Sequence, residues 1–196
     1  MSYTLAQLKT AIQDYTENTE TSFVTNLPTF IKNAEQRIFK LVDLEFFRKN
    51  ANSTLTSSDP FLSVPPDYLA SFSLSITNSS SKEFLLQKDV NFIQEYTPNP
   101  ATTGVPKYYA YFDVSNFILA PTPDSNYTCE LHYYYRPASL TAGADSGTTW
   151  LSTNASVALL YGSLVEAYTF MKGEQDMLAM YEKQFTEALS RIKDLA

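Results

Sequence analysis

Residues 157–171, Val157-Ala158-Leu159-Leu160-Tyr161-Gly162-Ser163-Leu164-Val165-Glu166-Ala167-Tyr168-Thr169-Phe170-Met171, decide how this chain is read. Val157, Leu160, Leu164, Tyr168 and Met171 step by three and four residues, the period of one helix face. Similar stripes lie elsewhere: Leu5, Leu8, Ile12 and Tyr15; Ile31, Ala34, Ile38, Leu41 and Val42; Met177, Tyr181, Phe185, Ala188 and Ile192. Two of these helices are N-terminal and two are C-terminal. Each must bury its stripe against something. The expected fold class is α+β: a helical bundle built from the N- and C-terminal helices, with an inserted antiparallel β-rich region. The expected boundaries are 1–49 and 150–196 for the bundle and 50–149 for the insertion.

Local signals refine this outline. Thr4 caps a first helix running to about Glu17, and 18–23 reads as a connection. Asn26 and Pro28 signal the start of a second helix that reaches about Leu44 or Phe47. Residues 53–56 and 61–64 flank Ser57-Ser58-Asp59-Pro60 and read as a hairpin. The run 69–77 alternates, with Phe72, Leu74 and Ile76 on one face, and 82–86 returns after a turn. Residues 88–96 suit a short helix, and 107–113 with 116–120 a second hairpin. Residues 127–136 form the clearest strand, Tyr127, Cys129, Leu131, Tyr133 and Tyr135 facing one way. Residues 96–106 and 137–149 are loops, and Gly173 separates the last two helices.

A chain of 196 residues can bury a substantial core. Its net charge of −7 lacks the footprint of a protein that grips phosphates. Fourteen Tyr and thirteen Phe stand against one Trp, and tyrosines in such number mark half-buried surfaces. One cysteine, Cys129, excludes an internal disulfide. Neither a secretory leader nor a run of ~20 apolar residues is visible, so the expectation is a soluble protein made in the cytoplasm, with no membrane partner.

Catalytic equipment is sparse. A single histidine, His132, excludes a Cys/His zinc site within one chain, and no metal, cofactor-binding or catalytic residues are assigned. Tyr161-Gly162-Ser163-Leu164-Val165 lacks the second glycine of a nucleophile elbow, and 142–148 lacks the lysine of a phosphate loop. Asp67, Asp113, Asp124 and Glu130 leave open a small hydrolase using two of them. Tyr108–Phe112 and Tyr133–Tyr135 leave open a surface binding module that recognises polysaccharide through exposed tyrosines. The preferred account is that one face of each strand is core and the other meets a neighbouring subunit. The candidate interface residues are Tyr96, Pro98, Pro100, Tyr108, Tyr134, Arg136, Trp150 and Tyr168.

Leu27-Pro28-Thr29-Phe30-Ile31-Lys32-Asn33-Ala34-Glu35-Gln36-Arg37-Ile38, followed by Pro65-Pro66-Asp67-Tyr68-Leu69, resembles a family of bacteriophage head-to-tail adaptor (connector) proteins of the short-tailed phage type. Tyr161-Gly162, Ala167-Tyr168 and Lys172-Gly173, then Tyr181, Phe185, Ala188 and Leu189, are similar to that family's paired C-terminal helices. The resemblance implies a non-enzymatic virion component of the neck or tail. It implies a homo-oligomeric ring, commonly of twelve copies, beneath the portal protein, extending the channel and docking a tail nozzle or fibre protein. Double-stranded DNA would pass through the lumen without specific binding, with Glu174, Asp176, Glu182 and Glu187 as candidate lumen acids. Some relatives carry a C-terminal extension that enters the portal. Here the last stripe ends close to Leu195-Ala196, so loops or helix ends are expected to carry the portal contact.

Overall fold

The computed structural model describes residues 2–42 and 47–193. The chain divides into two compact units, Met1–Phe46 with Ala138–Ala196, and Phe47–Pro137.

The first unit is helical. Helix α1, Leu5–Thr16, begins at a capping box: the Thr4 hydroxyl accepts from the Gln7 amide, and the Gln7 side chain accepts from the Thr4 amide. Helix α2, Thr21–Leu41, starts earlier than Asn26 and Pro28 suggest, and Pro28 lies inside it. An interior proline costs about 3 kcal/mol. Phe23 and Leu27 are buried on the same face as Phe30, Ile31, Ala34 and Ile38. Burying two such side chains contributes roughly 1.5–3 kcal/mol each, enough to carry the helix through the proline. Thr25 and Asn26 side chains donate to the Thr21 and Ser22 carbonyls within these early turns. The helix ends at Leu41, and Leu44 lies outside the described residues.

The expected third helix is two pieces, α4, Trp150–Asn154, and α5, Ser156–Met171, broken at Ala155. Helix α5 is buried on most sides and packs against α1, α2, α4 and α6, Gln175–Lys193. The turn into α6 is made by Lys172 at φ 54°, not by Gly173, whose φ is not positive. Gly173 is required for a different reason: a Cβ there would lie 2.6 Å from Tyr168 Cδ1.

The second unit is a seven-stranded sheet of order β1-β9-β3-β4-β6-β7-β2. Its strands are β1 Arg48–Leu55, β2 Phe61–Ser63, β3 Tyr68–Asn78, β4 Ser81–Gln87, β6 Tyr108–Tyr111, β7 Asn116–Ala120 and β9 Tyr127–Tyr135. Two short strands, β5 Thr103–Gly104 and β8 Thr122–Pro123, pair separately, and helix α3, Val90–Tyr96, packs on β6 and β7. Leu55 and Leu62, from the two edge strands, share one core with Leu74, Ile76, Leu85, Phe117 and Leu131, so the sheet curls toward a barrel.

The expected class, a helical bundle with an inserted antiparallel β-rich region, is overturned by this sheet. It is large, and it is mixed: β4 and β6 run parallel, with Leu86 opposite Tyr108. A parallel pair needs a long crossover, and α3 with the loop after it supplies one. The expected hairpin of 53–56 with 61–64 is also absent. β1 pairs with β9 and β2 with β7, placing them at opposite ends of the strand order. Phe72 leaves the face of Leu74 and Ile76 because register shifts interrupt β3 between Tyr68 and Ala70 and between Ser71 and Ser73.

Candidate functional site

Much of the adaptor-like sequence makes internal joints. On α2, Arg37 reaches Glu182 of α6 at 2.7 Å and Glu166 of α5 at 3.5 Å, and its guanidinium lies 4.9 Å from the Phe185 ring centroid. The same ring meets Gly162, where a Cβ would stand 2.9 Å from Phe185 Cε2 and 3.1 Å from Ala34 Cβ. The glycine of Tyr161-Gly162 is therefore a close-approach residue between α2, α5 and α6. Glu35 is buried, and its Oε1 accepts from the Leu140 amide at 2.9 Å. Burial raises its carboxyl above the ordinary range, against the Ser139 hydroxyl, the Leu140 amide and Lys32.

Pro65-Pro66-Asp67-Tyr68 plays the same part in the sheet unit. Asp67 accepts from Lys49 Nζ at 2.5 Å and from the Tyr133 hydroxyl at 2.9 Å, while its carbonyl accepts from the Arg136 amide. Burial pushes the Asp67 carboxyl up, but the Lys49 ammonium and the Tyr133 hydroxyl outweigh it, so the group sits below its usual range. Tyr133 is correspondingly pushed up to about 12 by burial and by that hydrogen bond. The Tyr68 ring lies against Phe117 at 5.3 Å and stacks on Tyr111 at 5.7 Å.

The other carboxylates of the hydrolase reading hold separate partners. Asp113 closes its own turn with Ser115 and Asn116, Asp124 accepts from the Tyr127 hydroxyl, and Glu130 takes Lys82, Asn50 and His132. Lys82 above all holds the Glu130 carboxyl at about 2. Cys129 is buried in the sheet core. Among the described residues no cluster of His, Cys, Asp and Glu is arranged to hold a metal ion.

The eight candidate interface residues fall into separate groups. Tyr96 and Tyr108 meet edge to face at 4.9 Å, and Phe92 joins them, 5.8 Å from Tyr96 and 5.1 Å from Tyr108. Pro98 and Pro100 are exposed just beyond α3, on a loop that is tied down. Thr122 Oγ1 donates to the Pro100 carbonyl at 2.9 Å, and β5 pairs with β8. Tyr134 lies under the Arg48 guanidinium, which also covers Phe72, and the Arg136 side chain is exposed. Trp150 and Tyr168 belong to the helical unit and are half-buried. Tyr168 packs on Tyr181 at 4.9 Å and fills the space above Gly173. Of the candidate lumen acids, Glu182 is engaged by Arg37, and Glu174, Asp176 and Glu187 are exposed.

Sequence reasoning missed two strongly exposed apolar positions on one strand. Phe84 is 66% exposed and Leu86 59%, on the side of β4 opposite buried Leu85. The register sets Leu86 beside Tyr108, so an apolar strip runs from Phe84 through Leu86 and Tyr108 to Phe92 and Tyr96. The signal was present: apolar residues at both parities of a strand mean that both faces have something to bury.

Packing joints inside each unit and an apolar strip left in water on the second are the equipment of an assembly part. The chain belongs to the SU10 adaptor protein family, whose model matches residues 3–196, so it is a phage head-to-tail adaptor and a structural component of the particle. A search of curated proteins finds no match to it. No helix among the described residues is long and apolar enough to cross a membrane.

Proposed function

We propose that copies of this chain assemble into a ring beneath the portal, extend the DNA channel, and dock tail components below. The observation that carries the reading is the strip of exposed Phe84, Leu86, Phe92 and Tyr96 with half-buried Tyr108, in a chain that matches an adaptor family over residues 3–196. A ring is closed by heterologous contacts, in which one surface of each copy meets a different surface of the next. Aromatic and aliphatic side chains packed on a rigid strand and helix suit such a contact, because little side-chain entropy is lost on docking. The tied-down loop at 96–106 and the 137–149 stretch present the axial docking surfaces. The net charge of −7 keeps duplex DNA moving through the lumen without adhesion.

Mixing the chain with its cognate portal and imaging the product by electron microscopy tests this. The expected product is a closed ring of this chain on the portal. Replacing Phe84 and Leu86 together with Asp is expected to abolish the ring while leaving the circular dichroism and unfolding midpoint of the isolated chain near those of the wild type. A ring that assembles normally from the double variant removes the strip from the interface. Fluorescence anisotropy with labelled duplex DNA is expected to show no binding at 50 mM salt, and binding that persists at high salt overturns the non-adhesive lumen.

A further inference from the structure

Residues 139–147 cross the helical unit as a strap. Their regular structure is one 3-10 turn, Leu140–Ala142, started by the Ser139 hydroxyl accepting from the Thr141 amide. The side chain of Leu140 is buried, whereas 142–146 are exposed. The strap is tied at both ends. The Leu140 amide donates to Glu35 Oε1, and Asp145 pairs with Lys9 at 2.8 Å in the open. The carbonyls of Asp145 and Gly147 accept from the Ala6 and Leu5 amides at 2.9 and 3.2 Å, so the strap satisfies leading N–H groups of α1 that the helix itself cannot.

Glu35 is the anomaly. It is 3% exposed, and its Oε2 is buried and makes no well-formed hydrogen bond, although the Ser139 hydroxyl at the start of the strap also favours the charged carboxyl. A buried carboxylate with one oxygen unmatched disfavours the closed arrangement, yet the other oxygen of the same group is what holds the Leu140 amide. Lifting the strap would bring Glu35 toward water, where both oxygens are satisfied. It would cost the Leu140 burial against α2, the Leu140 amide–Glu35 hydrogen bond, two hydrogen bonds to α1 and an exposed ion pair, while α5 keeps its contacts with α1, α2 and α6. We propose that 139–147 is a detachable strap, opening as one piece at a free energy well below that of global unfolding, with Glu35 as its catch. Opening would free the Leu5 and Ala6 amides and uncover an apolar socket, vacated by Leu140, with a carboxylate at its rim. This inference stands apart from the ring reading, since it concerns the isolated chain.

Amide hydrogen exchange on the full chain tests it. The amides of 140–147, together with those of Leu5 and Ala6, are expected to exchange as a set at least ~10-fold faster than those in the centre of α5. Glu35→Ala is expected to accelerate that set by roughly a further 10-fold, the effect of losing a hydrogen bond to a charged group, and to leave α5 unchanged. Glu35→Gln keeps an acceptor for the Leu140 amide but a neutral, weaker one, so it accelerates the set clearly less than Glu35→Ala does. Lys9→Ala cuts the exposed tie without touching the core, and accelerates the same set about 2-fold. Three results would each overturn the strap: wild-type exchange of 140–147 at the rate of α5; acceleration by Glu35→Ala spread evenly over α5; or acceleration by Glu35→Gln as large as that by Glu35→Ala.

Discussion

Two glycines and a lysine on the C-terminal helices show how differently one residue type can be used. Gly162 sits where the ring of Phe185 and the methyl of Ala34 leave no room for a Cβ. Its replacement by Ala gains about 1 kcal/mol of helix propensity but forces a fully buried ring off its seat, an overpacking cost of about 1–3 kcal/mol. The ring is also in contact with the Arg37 guanidinium, 4.9 Å from its centroid, so its displacement disturbs that contact too. Gly162→Ala is therefore expected to lower the urea midpoint of unfolding without changing its slope, by about 1 kcal/mol net. Lys172 and Gly173 invert the usual arrangement. The left-handed position at the end of α5 is occupied by lysine at φ 54°, while the neighbouring glycine serves close approach to Tyr168. A non-glycine residue in that conformation costs about 1–2 kcal/mol, part of which is returned by the lower chain entropy of lysine in the unfolded state. Lys172→Gly is expected to stabilise the chain by about 0.5–1 kcal/mol in the same urea titration, and a loss of stability would refute this account of the turn.

At the scale of elements, what could be read from the sequence was local. The α1 cap at Thr4 was legible because Thr4 and Gln7 are three residues apart, and the turns of β3–β4 and β6–β7 because each closes within a few residues. The strand at 127–135 was legible from strict alternation. The partners of β1 and β2 were not, because Ser53 pairs with Cys129 and Leu62 with Phe117, and a turn-like sequence between two runs says nothing about such distant strands. The face of Phe72 was hidden by two register shifts, and the start of α2 by a proline signal that buried Phe23 and Leu27 override. The sheet also gathers a polar cluster that no local pattern marks. Glu130 of β9, Asn50 of β1 and Lys82 of β4 come together across strands, and His132 joins from the same strand. Lys82 first, then Asn50, bring the Glu130 carboxyl from an ordinary value of 4.5 to about 2. A folded carboxyl depressed in this way contributes stability that is fully present above pH 4.5 and is lost as the pH falls toward 2. Melting temperature against pH checks it. Wild type is expected to exceed Glu130→Gln at neutral pH, and the gap to close as the pH falls from 4.5 to about 2. A gap that stays constant across that window would mean that the cluster does not stabilise the charged form.

For the whole molecule, connectivity and packing are not arranged alike. The sheet unit is one continuous stretch, Phe47–Pro137, whereas the helical unit is assembled from Met1–Phe46 and Ala138–Ala196. The sheet core draws on residues from Leu55 to Tyr133, so among the described residues the large buried side chains that fill it come from within the continuous stretch. Helix α5, in contrast, is apolar on most sides and rests on α1 and α2 as well as α6. Without the N-terminal helices it would leave a broad apolar surface in water, at roughly 25 cal/mol for each Å² uncovered. The two units should therefore respond differently to excision. A fragment of residues 47–137 is expected to give dispersed amide resonances and a cooperative thermal transition. A fragment of residues 138–193 is expected to be poorly soluble or non-cooperative, and to regain helical circular dichroism and a sharp transition when mixed with a fragment of residues 2–46. Recovery on mixing is the informative arm, because it requires α1 and α2 to find α5 without the intervening sheet. Cooperative folding of 138–193 alone would show instead that α4, α5 and α6 form a core of their own, and that α1 and α2 add little to it.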